Sequence, residues 1–158
     1  MSIEKVKAYF AQFGMEGRIL EFPVSSATVE LAAQALHCEP CRIAKTLSFA
    51  VGDTPVLIVA AGDARIDNHK YKARFATKAK MLTPEQAAQR IGHAVGGVCP
   101  FAVQPGVEVY LDVSLKRFDT VFPACGSSNS AIELTIPELE QYSGYKDWVD
   151  VCKDWQAE

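Results

Sequence analysis

The sequence predicts an α+β fold with a mixed, partly closed, barrel-like β-sheet and helices around it. The clearest evidence is a strand pair, residues 46–51 and 55–61, joined by Gly52-Asp53, a sequence typical of tight hairpins. Helical segments with recognisable caps also alternate with strand-like segments along the chain. The resulting order, α-β-α-β-β-α-α-β-β-β-α, contains both hairpins and crossovers, and this combination favours a mixed sheet.

The helices are predicted from apolar spacing and capping residues. The first begins at Ser2, has apolar residues at intervals of three and four, and ends at Gly14. The second covers residues 28–36. The other three begin at capping side chains. Asp67 caps a basic helix that ends at residue 75 or 76, and the last two helices begin with the capping boxes Thr83 with Gln86 and Thr135 with Glu138.

The remaining strands are predicted from short apolar runs bounded by turn residues. These runs are residues 18–22, 107–112, 120–124 and 131–135. Within the hairpin, residues 56–60 are apolar throughout, so this strand is expected to be buried on both faces.

Length and composition indicate an ordinary globular protein. The chain has 158 residues, which suits a single domain over residues 1–158, and 49% of them are hydrophobic. No apolar run approaches the roughly 20 residues that span a bilayer, and the N-terminus lacks the apolar stretch of a signal peptide. We therefore expect a cytoplasmic protein with no membrane partner.

The five cysteines are odd in number and lack the spacing of a disulfide framework, which indicates free thiols in a reducing compartment. Cys38 and Cys41 form a C-x-x-C motif, but a zinc site would need a second ligand pair at matching spacing. The motif also lies at the end of a helical pattern, where a thioredoxin-like redox pair is not expected. We therefore expect no metal site.

The charge is unevenly distributed. A net charge of −3 disfavours a general nucleic-acid binder, and DNA in particular is not expected as a partner. One stretch is nevertheless basic and could attract phosphates, although charge alone favours a solvated helix face. Its members are Lys70, Lys72, Arg74, Lys78 and Lys80.

Lys45 is the first candidate for chemistry. It precedes the apolar strand at residues 46–51, and strand alternation places it on the same side as Leu47 and Phe49. If that side faces the interior, its ammonium is suited to hold an anionic or carbonyl-bearing ligand. The other interpretation is a lysine that extends from the strand end into water.

Two loops carry further candidate groups. The pair Gly96-Gly97, followed by Pro100, forms a turn whose backbone N–H groups could stabilise an oxyanion. The loop at residues 126–129 supplies two hydroxyls and an amide. A serine nucleophile is disfavoured, because the sequence lacks a G-x-S-x-G elbow and its three histidines form no recognisable partner set.

Three segments together resemble the YbaK/EbsC family of prolyl-tRNA-synthetase-associated aminoacyl-tRNA deacylases. The resemblance covers roughly residues 22–139, with the segments in the family's order, and it implies the editing-domain fold. The segments are Ile43-Ala44-Lys45-Thr46-Leu47, then Val95-Gly96-Gly97-Val98-Cys99-Pro100, and then Gly126-Ser127-Ser128 leading into Ile132-Glu133-Leu134.

The resemblance implies an enzyme that hydrolyses the ester between a wrong amino acid and the 3′-terminal adenosine of a tRNA, typically tRNA(Pro), without a cofactor. Lys45 matches the family's essential lysine, and Gly96 and Gly97 match the loop that lies against the ester. The resemblance further implies that aminoacyl-tRNA is a partner, with prolyl-tRNA synthetase as a further candidate. The basic stretch would then be the tRNA-binding surface. The implied substrate-binding residues are Phe22, Thr46, Val98, Pro100, Gly126, Ser127, Ser128 and Asn129.

Two departures from the family pattern leave the substrate open. Phe22 stands where some members have a tyrosine, and Ala131 stands where cysteinyl-tRNA-specific members have an aspartate. Alanine, serine, threonine and cysteine therefore all remain candidates for the amino acid removed. Two other functions also remain, namely a small-molecule aminoacyl esterase and a non-catalytic module that binds aminoacyl-tRNA or an adenosine ligand.

Overall fold

The structure is a computed structural model that describes residues 2–94 and 96–155. Its architecture is α+β, and its main sheet curls into a half-barrel, as the sequence predicted. The strands are β1 (Ile19–Glu21), β2 (Ile43–Val51), β3 (Thr54–Ala61), β4 (Arg65–Ile66), β5 (Glu108–Asp112), β6 (Thr120–Pro123), β7 (Ser130–Ile132), β8 (Leu134–Thr135), β9 (Asp147–Val149) and β10 (Cys152–Lys153).

The main sheet has six strands in the order β8-β6-β2-β3-β5-β9. β2 and β3 are antiparallel and form the predicted hairpin, with Val51 opposite Thr54 across Gly52-Asp53. β5 runs parallel to β3, and β6 runs parallel to β2, so the sheet is mixed as expected. Two short antiparallel pairs, β1 with β7 and β4 with β10, lie beside it.

Three helices begin at the caps that the sequence indicated, at Asp67, Thr83 and Thr135, while the predicted cap at Ser2 concerns a side chain outside the described part of the structure. The Asp67 carboxylate accepts the backbone N–H groups of His69 and Lys70, and both predicted capping boxes form, at Thr83 and at Thr135. None of the helices in the described part of the chain is long and apolar enough to cross a membrane. The helices are α1 (Ser2–Ala11), α2 (Val29–Leu36), α3 (Asn68–Phe75), α4 (Pro84–Arg90) and α5 (Ile136–Ser143).

The core lies on both faces of β3. Every residue from Val56 to Ala61 is buried, which confirms the expectation for this strand. Tyr71 of α3 packs on Phe49 of β2, with ring centroids 5.1 Å apart, and Phe10 of α1 packs on Phe101 at 4.9 Å. These contacts make β2 and β3 a rigid support for residues at the end of the hairpin.

The sequence analysis missed the two strands after α5. The segments have only three and two residues, too few to show strand periodicity, and tertiary contacts order them. β9 joins the sheet next to β5, while the buried Asp112 carboxylate accepts the Val151 N–H at 3.0 Å. β2 also begins at Ile43 and not at residue 46, so Lys45 lies inside the strand and does not precede it.

Candidate active site

A pocket of about 200 Å³ opens beside the first half of β2. An apolar cavity of about 150 Å³ holds benzene, so this pocket has room for a small aminoacyl group. The lining is largely apolar with a few polar groups, as in most small-molecule sites. It consists of Ser26, Ala27, Thr28, Val29, Ala32, Ile43, Ala44, Lys45, Thr46, Leu47, Gly96, Val98, Phe122, Ala124, Ser130 and Ala131.

Lys45 is a half-buried cation at the edge of this pocket. Its ammonium donates to the carbonyl oxygens of Ala64 and, at 3.4 Å, of Gly62, both in the turn after β3. Burial lowers the pKa of Lys45, while Cys152 and Asp63 act in the opposite direction. Carbonyls hold the amine in place, and within the described residues it forms no ion pair, so its charge stays available to a substrate.

The turn that holds Lys45 is fixed by close packing. A Cβ atom added at Gly62 would overlap the carbonyl oxygen of Pro40 and lie 2.8 Å from Cγ1 of Val29. Only glycine therefore fits in this position. Because Val29 also lines the pocket, the packing connects the lysine-holding turn directly to the pocket wall formed by α2.

The hydroxyl of Thr46 is the clearest unused binding group in the pocket. Its Oγ1 atom is buried and has no hydrogen-bond partner among the described residues. An unsatisfied buried hydroxyl costs about 1–3 kcal/mol, so a ligand that bonded to it would remove that penalty. Ser130 supplies a second hydroxyl nearby, which accepts a hydrogen bond from Ser127 at 2.7 Å.

The two loop glycines have different roles. Gly96 has a φ of +94° and lines the pocket. The Gly97 N–H instead donates to the Ala94 carbonyl at 3.0 Å, so the expectation that both amides face a substrate is wrong for Gly97. Gly97 is needed for packing, because a Cβ atom there would lie 2.7 Å from backbone atoms of Gly126 and Ser127.

The loop at residues 126–129 holds another loop in place. The Ser128 carbonyl accepts the Ser26 N–H at 2.6 Å, and Ser26 lines the pocket. Phe22 and Asn129 are joined twice, since the Phe22 N–H donates to the Asn129 carbonyl at 2.8 Å and the Asn129 side chain donates to the Phe22 carbonyl at 3.0 Å. These bonds position Ser26 and its neighbour Ala27 at the pocket.

The structure therefore brings only some of the predicted site residues together at the pocket. Lys45, Thr46, Gly96 and Val98 lie together around the pocket. The other predicted substrate-binding residues do not line it within the described part of the chain. These are Phe22, Pro100, Gly126, Ser127, Ser128 and Asn129.

Sequence reasoning missed the contribution of α2. Thr28, Val29 and Ala32 form one wall of the pocket, and Thr28 also caps the helix by accepting the Leu31 N–H. Small residues ahead of a capped helix were a visible signal, but nothing in the sequence indicates that this helix end packs beside β2. Ala131, one of the two departures from the family pattern, does line it.

A buried histidine and cysteine lie behind the glycine loop. His93 Nε2 donates to the Phe101 carbonyl at 2.7 Å and lies 3.5 Å from the Cys99 sulfur. Burial lowers the pKa of His93 and raises the pKa of Cys99 to about 12, so both groups are neutral near pH 7. The pair joins the two ends of the loop and is not suited to nucleophilic catalysis.

Cys38 and Cys41 are free, half-buried thiols. Across the residues that the structure describes, no three histidine, cysteine or acidic side chains are grouped so that they could hold a metal ion.

The basic stretch is partly neutralised by the C-terminal segment. Lys70 pairs with Asp150 at 3.2 Å, and Arg74 pairs with Asp147 at the same distance. Lys72, Lys78 and Lys80 are exposed and, among the described residues, form no ion pair. The five basic residues are therefore not equivalent.

Comparison with known proteins agrees with this site. Residues 24–142 match the family described as aminoacyl-tRNA editing domain. The match covers well over half of the chain, so the protein belongs to that family. The matched range contains Lys45, the glycine loop and the loop at residues 126–129, and it confirms the resemblance found in the sequence.

Two kinds of relative are found among curated proteins. The uncharacterized protein YwhH of Bacillus subtilis (strain 168) is 56% identical over 157 residues, which cover 99% of this chain and 100% of that protein. The proline–tRNA ligase of Lactiplantibacillus plantarum is 27% identical over 125 residues, 78% of this chain but only 22% of the ligase. The chain thus spans about a fifth of the length of the ligase it matches.

Solved structures show the same fold. A protein described as a proposed trans-editing enzyme for prolyl-tRNA synthetase has a TM-score of 0.86 and 27% identity, and the alignment covers 96% of this chain and 97% of that one. The hypothetical protein APE2540 has a TM-score of 0.81 and 26% identity, with 94% and 99% covered.

Proposed function

We propose that this protein is a trans-acting deacylase that hydrolyses the ester between a non-cognate amino acid and the 3′-terminal adenosine of tRNA(Pro). The observation that carries the proposal is the pocket of aminoacyl size in which Lys45, the unpartnered Thr46 hydroxyl and the Gly96 loop meet. The editing-domain family and the relation to proline–tRNA ligases support the same reaction.

The chemistry needs no covalent intermediate, because an ester to a ribose hydroxyl is already activated. Water adds to the ester carbonyl, the bond to the ribose oxygen breaks, and that oxygen takes up a proton as the amino acid leaves. Lys45 holds the terminal phosphate or ribose and so orients the carbonyl. In this proposal the Gly96 amide stabilises the developing oxyanion, and one such donor contributes about 3–4 kcal/mol in well-studied cases.

The pocket favours a small amino acid. Five of its lining residues are alanines whose side chains leave the 200 Å³ volume open, and one of them, Ala131, provides no carboxylate. The Thr46 hydroxyl offers a hydrogen bond to the substrate's ammonium or side-chain hydroxyl. Alanine, serine, threonine and cysteine all satisfy these conditions.

The proposal also sets the partners and the place of action. The basic stretch contributes to tRNA binding, and prolyl-tRNA synthetase supplies the mischarged substrate. Charged tRNA is a cytoplasmic substrate, so the protein would act in the cytoplasm.

The test uses tRNA(Pro) charged separately with alanine, serine, threonine, cysteine and proline. Release of each amino acid is followed for the wild type and for Lys45→Met, which keeps the side-chain length but removes the charge. We expect rapid, lysine-dependent loss of one or two non-cognate species, with proline retained.

The same assay separates the alternatives. Equal turnover of simple aminoacyl esters, without dependence on tRNA or salt, would identify a small-molecule esterase. Tight binding of aminoacyl-tRNA with no release above the Lys45→Met background would identify a binding module and refute the deacylase.

A further inference from the structure

A second concave site lies at α3 and the segment that follows this helix. It has a volume of about 420 Å³ and is lined by Asn68, His69, Lys72, Lys78 and Ala79. This volume is about twice that of the pocket beside β2, so the groove has room for a phosphodiester group. Its polar groups are an amide, an imidazole and two ammonium groups, which all can donate hydrogen bonds.

The charge of this groove is available to a ligand. Lys72 and Lys78 are exposed, and neither forms an ion pair with any residue in the described ranges. On the same helix, Arg74 is already paired with Asp147. The N-terminal amides of α3 are satisfied by the Asp67 carboxylate, so the attraction for an anion comes from the lysine side chains and not from the helix end.

The groove is close to the proposed site of ester hydrolysis. The Ala64 carbonyl accepts a hydrogen bond from Lys45, and Asn68 follows only four residues later in the chain. Four residues span at most about 14 Å. A stacked strand rises by about 3.4 Å per nucleotide, so a strand whose end lies at Lys45 reaches the groove within roughly four nucleotides.

We propose that this groove binds backbone phosphates of the single-stranded 3′ end of the tRNA, with Lys72 and Lys78 as the main contacts. The inference rests on the proposed function and deepens it, because it divides the basic stretch into a binding half and a half neutralised by the C-terminal acids. Contacts of this kind carry no base readout; they set the register of the strand, and so bring its terminal ester to Lys45.

The experiment measures the affinity for uncharged tRNA as a function of salt. Lys72→Gln and Lys78→Gln each remove one unpaired charge, and Arg74→Gln is the matched control that removes one paired charge from the same helix. A single-strand phosphate contact contributes about 0.7 to the slope of log K against log salt. We expect each lysine variant to lower the slope by about that amount and Arg74→Gln to leave it unchanged.

A second substrate separates this inference from the proposed function. An aminoacyl ester of adenosine has no phosphate, so the two lysine variants should lose less activity with this ester than with charged tRNA, each relative to the wild type. If the lysine variants bind tRNA as the wild type does, or if Arg74→Gln has the same effect as they do, the groove is not the phosphate site. If the lysine variants lower the salt slope of tRNA binding but neither they nor the wild type release any amino acid, the groove is an RNA-binding site and the deacylase proposal fails.

Discussion

Replacing Gly97 by alanine tests whether the packing of two loops shapes the active site. The added Cβ would lie 2.7 Å from the Gly126 carbonyl carbon and the Ser127 nitrogen, and both are backbone atoms that cannot rotate away. Overpacking of this kind costs about 1–3 kcal/mol. For a chain of this length each kcal/mol lowers Tm by about 2–4 °C, so the expected loss is about 2–12 °C.

The same substitution should affect catalysis more than stability. To relieve the clash, the glycine loop has to move away from residues 126–129, and Gly96 moves with it. A misplacement of about 1 Å at a reacting centre can cost roughly a hundredfold in rate. We therefore expect Gly97→Ala to reduce the rate of amino acid release from mischarged tRNA by about that factor.

Gly17→Ala is the matched control for both measurements. Neither Gly17 nor Gly97 has a positive φ, but a Cβ at Gly17 meets no atom within 4 Å. It should leave the rate unchanged and keep or slightly raise Tm. Thermal unfolding followed by circular dichroism, together with the release assay, decides the matter. If Gly97→Ala matches Gly17→Ala in both, contact between the loops does not shape the site.

Two further predictions concern single side chains. Thr46→Val removes a buried hydroxyl that has no partner among the described residues, so the stability should hold or rise while kcat/KM falls about 2–10-fold. Thr46→Ser should stay close to wild type, and a wild-type kcat/KM for Thr46→Val would exclude the hydroxyl as a substrate contact. Hydrogen bonds from Arg18 hold the pKa of Glu138 at about 2, below the ordinary 4.5, so the ion pair stabilises the fold above pH 4.5 and is lost as the pH falls towards 2. Glu138→Gln removes the charge but keeps the capping box. Near pH 6 the wild type should have a slightly higher Tm than this variant, because the ion pair is partly exposed, and near pH 2 the difference in Tm should vanish. A difference in Tm that does not change with pH would contradict the pKa shift.

Local patterns were enough to predict the elements whose evidence is contained in a few neighbouring residues. The hairpin at Gly52-Asp53 and the caps at Asp67, Thr83 and Thr135 follow from interactions between neighbours in the chain, and the unbroken apolar run of β3 was enough to indicate its burial. β9 and β10 could not be predicted in this way, because each has only two or three residues and is ordered by pairing with β5 or β4.

The same distinction between local and tertiary features applies to the candidate site. Lys45, Thr46 and Gly96 could be selected from the sequence, because a charge beside an apolar strand and a glycine pair before a proline are local features. Whether a selected group faces the pocket depends on how distant segments pack. Gly97 illustrates this, since its N–H is taken by Ala94 and its small size serves the contact with residues 126–129.

The sequence by itself determined the α+β class, most of the elements, the editing-family resemblance and the short set of residues that bear chemistry. Only the tertiary structure decided that α2 forms a wall of the pocket, that carbonyls of the turn after β3 hold Lys45, and that Asp147 and Asp150 neutralise part of the basic stretch. The physical reason is that capping and periodicity are short-range along the chain, whereas burial, charge pairing and pocket shape arise between distant segments, as with Lys70 and Asp150, which are 80 residues apart.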